Sequence, residues 1–402
     1  MIPVFRFRAN RTVGVAALTL LLAACGSGTS ANENQPAPLD PAPLTYEYSV
    51  PQQTGDGWAT GHLVDHGFDA DKISDMMQRI VSGEIEGIDS VVIARNNSLL
   101  LYSSLRTKLD EYDEWINNRS LSRHILNSTS KSVTSALIGI AIDQGYIAST
   151  QVRFYDLFSY GSYSAWEWRK GQMTLEDALT MRLGIYWDEW SVPYGDPGND
   201  LYEVVTFKPD IAKALLDRPM ESHPGTTFTY NTAASITIGQ ALENAVGVPM
   251  ADFAFTHLFQ PLQISTAEWG RTATGLPNGG SGLYLEPRDM AKFGQVFVSG
   301  GLWNGQQIVS SDWVDSSTKR HVDVSWSETS GYGYQWWRDD FEFEGQKIDT
   351  WSTRGFGGQY IFCIPSLNLV VTFTGHNYGT SASQVPFELV QNYILASLEN
   401  AT

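Results

Sequence analysis

Ser128 and Lys131 stand three residues apart in the run Asn127-Ser128-Thr129-Ser130-Lys131-Ser132-Val133-Thr134-Ser135-Ala136. On a helix this spacing puts the two side chains one turn apart on one face. A serine beside a desolvated lysine can lose its proton and attack an acyl carbon, and a helix N-terminus offers N–H groups to the oxyanion that forms. The pattern alone is weak, because Ser316-Ser317-Thr318-Lys319 fits it equally well. A capped helix with a solvated lysine is the plain reading of either, and only the surroundings can separate them.

Few other groups could carry chemistry. His62 and His66 have a helical metal-ligand spacing, but with no Cys or further His nearby they read as a surface pair, and no metal is expected. His124, four residues before Ser128, could enter a Ser/His scheme or be a packed core histidine. His376 follows the last long strand and could sit nearer a cleft. The acidic cluster Asp110, Glu111, Asp113 and Glu114 reads as a solvated loop. There is no Gly-x-Ser-x-Gly elbow, His-Glu-x-x-His helix or phosphate loop, so α/β-hydrolase, zincin and nucleotide chemistry are excluded and no cofactor is implied. A formal charge of −18 argues against a nucleic-acid partner.

The segment from Asn127 to Gly145 reads as a helix: small hydroxyl residues can cap its first turn, and Val133, Ala136, Leu137, Ile140 and Ile142 supply the apolar positions. Before it, Asp69 to Val81 has helical periodicity, and Ser90–Arg95 and Leu99–Ser104 read as strands around Asn96-Asn97, a pair suited to positive φ. From Ala148 to about Met290 strands nearly vanish. Helices are expected at Thr174–Arg182, Asp210–Asp217 and Ala233–Val246, with the aromatic, acidic loop Ile185-Tyr186-Trp187-Asp188-Glu189-Trp190 after the first. A helix at Met290–Val298 then precedes strands at Gly333–Trp337, Ile361–Pro365 and Leu369–Thr374, and Phe387–Leu398 closes with a helix. The expected fold class is α+β: an antiparallel sheet built from both chain ends, flanked by helices, with a mainly helical lobe inserted at about 148–290. The helix carrying Ser128 would lie between sheet and lobe, where clefts form.

At the N-terminus, Arg6, Arg8 and Arg11 precede the apolar run Val13–Ala24, which ends in Leu22-Ala23-Ala24-Cys25. The run is short for a bilayer span and reads as a cleaved signal over residues 1–24. Leu-Ala-Ala-Cys resembles the bacterial lipobox, which implies lipid on Cys25, a membrane anchor and an envelope location, the outer membrane before the inner because Gly26 follows the cysteine. Residues 25–56, rich in Ser, Ala, Asn, Gln and Pro, read as a flexible tether, leaving 57–402 as the folded domain. Cys363, the only other cysteine, reads as inert core.

Several ordered segments carry a family likeness: Ser128-Thr129-Ser130-Lys131-Ser132, Leu179-Thr180-Met181-Arg182-Leu183-Gly184, Pro224-Gly225 leading to Tyr230, and Leu258-Phe259-Gln260-Pro261-Leu262. Gly282 to Gly294 and Arg354-Gly355-Phe356-Gly357-Gly358-Gln359 complete the set. In this order they resemble the serine β-lactamase and penicillin-binding-protein superfamily, nearest its class C-related branch of esterases and 6-aminohexanoate-dimer hydrolases, over about Gly67 to Leu398. The resemblance implies a β-lactamase/transpeptidase-like fold with Ser128 as acylated nucleophile, Lys131 as its proton acceptor and Tyr230 as second member of the proton-shuttling pair. It also implies an oxyanion hole from the Ser128 N–H and one at Gly358 or Gln359. Nothing of the pattern follows Ser316.

Two positions depart from the family. Tyr230-Asn231-Thr232 puts Thr232 where Asn is usual, and Gly355-Phe356-Gly357 lacks the cation that holds a β-lactam carboxylate. Arg354 is adjacent but on a strand would face the other way. Ester or linear amide substrates, neutral or cationic, are therefore expected ahead of β-lactams, with Tyr186, Trp187, Gly355 and Gly357 lining their path. The competing expectation is a non-catalytic or weakly acylating envelope protein that binds peptidoglycan fragments or β-lactams in the same cleft. No oligomeric state follows from the sequence.

Overall fold

The computed structural model of the chain describes residues 44–324 and 330–399. The signal segment, Cys25 and most of the tether lie outside the described residues.

Strand β1 (Ala59–Thr60) and helix α1 (Ala70–Val81) lead into the hairpin β2 (Ile88–Arg95) and β3 (Ser98–Ser104). Asp69 caps α1 by accepting from the Asp71 and Lys72 N–H groups. A 12-residue helix is marginal alone. Burial of Ile73, Met76, Met77 and Ile80, at roughly 1.5–3 kcal/mol each, is what holds it. Asn96 and Asn97 take φ of 53° and 60°, as the tight hairpin requires.

Strand β4 (His124–Ile125) then delivers helix α2 (Ser130–Asp143), and a helical stretch follows. It comprises α3 (Leu175–Leu179), α4 (Asp200–Phe207), α5 (Ile211–Leu216), α6 (Thr232–Val246) and α7 (Met250–Ala254). The short strands β5 (Glu268–Trp269) and β6 (Leu283–Leu285) pair with β4. Helix α8 (Pro287–Val298) returns the chain to the sheet, followed by the small hairpin β7 (Leu302–Trp303) and β8 (Gln306–Gln307) and by α9 (Ser311–Thr318).

The C-terminal part adds β9 (Val322–Asp323), β10 (Gly331–Tyr332), β11 (Trp337–Phe343), β12 (Gln346–Gly355), β13 (Gln359–Ile364) and β14 (Leu369–Gly375). Helices α10 (Val385–Leu389) and α11 (Ala396–Glu399), bridged by a π-helical turn, end it. Among the described residues the main sheet runs β1-β3-β2-β14-β13-β12-β11-β10-β9, antiparallel except where β1 meets β3. The β2–β14 pairing joins the two chain ends, from Leu369↔Arg95 to Gly375↔Ile88. The molecule is thus α+β, as expected.

Helices cover both sheet faces. On one, α1 and the C-terminal helix bury Val91, Ile93, Phe362 and Phe373. On the other, α8 crosses so closely that a Cβ on Gly294 would lie 2.7 Å from the side chains of Ile361 and Val370. That second core continues through α2 and α6 into the helical lobe. Cys363 is fully buried in it, and burial pushes its thiol well up, so it is inert as expected.

The structure corrects several expectations. Gly333–Trp337 is not a strand: Gly333 N–H bonds to Trp336 O, Gln335 has φ 64°, and the Cβ space of Gly333 is filled by the Ser317 carbonyl. Aromatic alternation there marks a packed turn. The strands β10 and β11 flank it, with Tyr332 paired to Trp337, and β12 follows, hidden in the sequence by its polar opening residues. The α3 helix stops at Leu179 rather than Arg182, because Met181 is left-handed at φ 59°. The hydroxyls of α2 do not cap it. Thr129, Ser132 and Thr134 donate to the carbonyls of Gln359, Gln335 and Gly279, since a helix buried on all sides must spend its side-chain donors on neighbours.

The chain is also engaged before residue 57, within the stretch expected to be tether, because its residues pack and bond onto α1, β3 and α8. Gln78 accepts from Tyr46 N–H, Tyr48 O–H donates to Leu100 O, and Asp56 pairs with Arg288 at 2.6 Å. The acidic cluster is only partly solvated. Asp113 is buried, and Arg106 pairs with both Asp110 and Asp113. Among the described residues no helix is long and apolar enough to cross a membrane.

Candidate active site

Asn127 sets the geometry at the nucleophile. It takes φ 47°, a conformation Asn tolerates better than most residues, and its side-chain amide donates to Phe356 O at 2.8 Å. The chain turns sharply there, so Ser128 sits in a half-buried 3₁₀ turn, and the α-helix proper begins at Ser130. Gly355 makes this possible from the other side. A Cβ at that position would collide with the Leu126 carbonyl oxygen, so only glycine lets β12 press against the segment before the nucleophile.

Lys131 is 1% exposed, and its Nζ lies 2.9 Å from Ser128 Oγ, 3.0 Å from Thr232 Oγ1 and 2.8 Å from Gly280 O. Burial lowers its pKa to about 7, while the Glu189 carboxylate opposes that shift. A lysine near neutrality and in contact with a serine is equipped to take its proton. The Tyr230 ring lies 5.0 Å from Lys131 Nζ, and the nearby Ser128 hydroxyl acts on its phenol. Burial, then Glu189, pushes its phenol well above the usual range, so it stays protonated and acts as a donor.

Tyr230 is held by the left-handed Met181. The Met181 carbonyl accepts from Thr229 N–H at 2.8 Å and its sulfur from Asn231 N–H at 3.3 Å. This explains why the Leu179–Gly184 segment belongs with the site. Asn231 caps α6 by accepting from Ala234 N–H at 2.8 Å, so the residue that reaches Lys131 is Thr232.

The other sequence-predicted residues separate. Gln359 O accepts from the Thr129 hydroxyl at 3.2 Å, which brings the start of β13 to the nucleophile turn. The Gly358 N–H bonds to Gly355 O at 3.2 Å within the turn. Gly357 backs onto the Tyr378 ring. Tyr186 is exposed, whereas Trp187 is buried and donates its indole N–H to Glu189 at 2.8 Å. Arg354 pairs with Asp339 and lies between the rings of Trp337, at 4.5 Å, and Phe387, at 5.0 Å; Trp337 in turn stacks on Tyr230.

His124 is a buried core histidine. Its Nδ1 lies 4.0 Å from Asp89, and burial, with nearby Arg106, lowers its pKa to about 3. His376 pairs with the same Asp89 at 2.8 Å. His62 packs edge-on against Tyr48. Among the described residues no group of three or more His, Cys, Asp or Glu is arranged to hold a metal ion.

Sequence reasoning missed three contributors. Trp190, 47% exposed, stacks on Tyr230 with centroids 4.7 Å apart. Tyr194 meets Phe356 edge-on at 5.4 Å, so the loop after α3 reaches the β12–β13 turn. Glu189 is 3% exposed and accepts from the Thr232 N–H. All three lie in or just beyond the aromatic, acidic loop that the sequence marked, but nothing in their spacing pointed to Tyr230, Phe356 or Thr232.

A 6-aminohexanoate-dimer hydrolase from Paenarthrobacter ureafaciens is 25% identical over 279 residues, 62% of this chain and 65% of that protein, so the match spans just under two thirds of the relative's length. Among solved structures, a β-lactamase/D-alanine carboxypeptidase from Yersinia pestis aligns with a TM-score of 0.57 at 17% identity, over 78% of this chain and 95% of that one. A family VIII carboxylesterase aligns at 0.58 and 14%, over 85% and 98%. These two likenesses speak for the fold. The β-lactamase family model matches residues 73–385, most of the chain and every catalytic candidate, and this chain therefore belongs to the β-lactamase family, with the fold of its hydrolases.

Proposed function

We propose that the protein is a serine hydrolase that cleaves an ester or amide bond through an acyl-enzyme on Ser128. The observation that carries this reading is the Lys131 amine, buried and 2.9 Å from Ser128 Oγ. Lys131 takes the Ser128 proton as Oγ bonds to the acyl carbon. Backbone N–H groups stabilise the resulting oxyanion, that of Ser128 and one at Gly358 or Gln359; Gly358 would have to loosen its bond to Gly355 O. The bond to the leaving group then breaks. Tyr230, held as a phenol, gives that group a proton and regains one as Lys131 releases its own. Water repeats the sequence on the acyl-enzyme and frees Ser128.

The substrate is proposed to be a neutral or cationic ester or linear amide rather than a β-lactam. No cation stands at Gly355, and the neighbouring Arg354 is already paired with Asp339. The acids of the loop contribute less than their sequence implies, because Asp188 accepts from Ser191 N–H at 3.0 Å and Glu189 is turned inward. The aromatic side chains Tyr186 and Trp190 remain exposed at its surface. The relative's 6-aminohexanoate dimer is a linear amide with a free amine and belongs in the test. Kinetics with p-nitrophenyl esters, that dimer and a chromogenic cephalosporin should give the lowest specificity constant for the cephalosporin. A highest value for it would overturn the substrate assignment, and turnover unchanged in Ser128→Ala would overturn the mechanism.

Lipid on Cys25, with the part of the 26–56 segment that precedes Tyr46 as a tether in the cell envelope, is part of the same proposal. A Cys25→Ser form should leave the membrane fraction; if it stays there, the anchor is wrong.

A further inference from the structure

Glu189 is a buried carboxylate that the acyl-enzyme chemistry leaves unused, and its surroundings are unusual in one respect: every contact is a donor. Thr232 N–H and Trp187 Nε1–H bond to Oε2 at 2.7 and 2.8 Å. The hydroxyls of Thr232 and Tyr194 bond to Oε1 at 2.7 and 3.1 Å. Four donors fill the roughly four lone-pair positions of a carboxylate. At 3% exposure it has no room for a substrate group as well.

The consequence falls on Lys131. Thr232 has one hydroxyl proton, and that proton is committed to Glu189, so toward Lys131 Nζ, 3.0 Å away, the Thr232 oxygen can only accept. Gly280 O, 2.8 Å from Nζ, also only accepts. A neutral amine has two hydrogens and one lone pair. With both hydrogens drawn to Thr232 and Gly280, the lone pair faces Ser128 Oγ at 2.9 Å, the atom whose proton must be taken.

We propose that Glu189 is a positioning residue of the active centre: by holding the Thr232 hydroxyl proton away from Lys131 it aims the Lys131 lone pair at Ser128. The same carboxylate, through Trp187 and Tyr194, ties the aromatic loop to the N-terminus of α6. The inference rests on the acyl-enzyme reading above. The charged and titratable groups around the centre are Lys131 from α2, Tyr230 before α6, Glu189 and Tyr194 from the loop, Tyr332 from β10 and Arg354 from β12. Arg354 acts on Tyr230 and is neutralised by Asp339.

Three variants test it, by fluorophosphonate labelling rate and kcat/KM across about pH 5 to 9. In Glu189→Gln the amide nitrogen would face donors, so the Thr232 hydroxyl must turn toward Lys131. The plateau of kcat/KM should fall about 10²-fold, the cost of a misaimed catalytic group. Its rising limb should move to lower pH, because Glu189 holds the Lys131 pKa up against burial. Thr232→Val removes the acceptor but keeps the backbone N–H to Glu189, and should lose about 10- to 100-fold, while Thr232→Ser keeps the rate.

A merely structural carboxylate predicts a lower plateau with an unmoved limb, and equal losses in Thr232→Val and Thr232→Ser; either result overturns the proposal. Should Glu189→Gln not fold, the Thr232 pair decides alone. If the wild-type protein takes no label on Ser128, the acyl-enzyme reading fails. If it labels and the variants match it, only the role of Glu189 fails.

Discussion

The chain carries two Ser-x-x-Lys segments, and the structure puts them in opposite surroundings. Ser316 is exposed in the last turn of α9, and Lys319 has already left the helix at φ −62° and ψ 144°. A helix C-terminus presents carbonyl oxygens and the negative end of the dipole, which repel a developing oxyanion; one of these carbonyls, that of Ser316, is bonded to His321. Ser128 instead opens a helix buried along almost its whole length, and its lysine is enclosed by Thr232, Gly280 and Tyr230. The spacing is shared. What differs is desolvation: Lys131 is enclosed and burial moves it toward neutrality, whereas Lys319 is exposed.

The sharpest way to break this comparison is to remove each serine. Ser128→Ala should lower turnover of an activated ester by about 10⁴- to 10⁶-fold and abolish covalent labelling. Ser316→Ala should leave both at wild-type values, and a loss there would mean the exposed segment is functional after all.

The lysines come next. Lys131→Ala should cost about 10²- to 10⁴-fold, and Lys319→Ala nothing measurable. In the wild-type enzyme, kcat/KM should rise with an apparent pKa near 7, since Lys131 accepts a proton only when neutral. A limb near the ordinary lysine value would show that its desolvation does not govern the rate.

A third test concerns the backbone contact behind the nucleophile turn. Gly355→Ala and Gly294→Ala both overpack an interior contact and should each cost about 1–3 kcal/mol of stability, read from thermal melts. Only Gly355→Ala moves the Leu126–Asn127 segment, so its kcat/KM should fall about 10-fold or more while that of Gly294→Ala holds. Equal activities would show that the close approach at Gly355 serves packing alone.

The smallest effect belongs to the cleft mouth. Trp190→Ala removes the ring stacked on Tyr230 and should raise KM by about threefold to tenfold for aromatic esters, with kcat little changed. A drop confined to kcat would mean that Trp190 orients Tyr230 rather than substrate.

Local chemistry made part of this molecule legible in advance. Asp69 before an apolar-periodic run, Thr174 three residues before Asp177, and Asn96-Asn97 between two β-branched and apolar runs are signals written within a few residues. The i, i+3 pairing of Ser128 and Lys131 is of the same kind. The Gly333–Trp337 turn was misread because its aromatic residues answer to neighbours remote in the chain, Ser317 and Leu179.

By itself, then, the sequence determined which residues could react and which short elements could hold them, because helical spacing, caps and turns depend on adjacent residues. It could not decide which of two identical patterns is dry, nor that Thr232 rather than Asn231 meets Lys131, nor that Glu189 accepts the hydrogen bond of that threonine. Those outcomes depend on desolvation and on hydrogen-bond direction. Both are fixed only when α2, α6, the loop after α3 and the turn at Gly280 close around one lysine and exclude water from it.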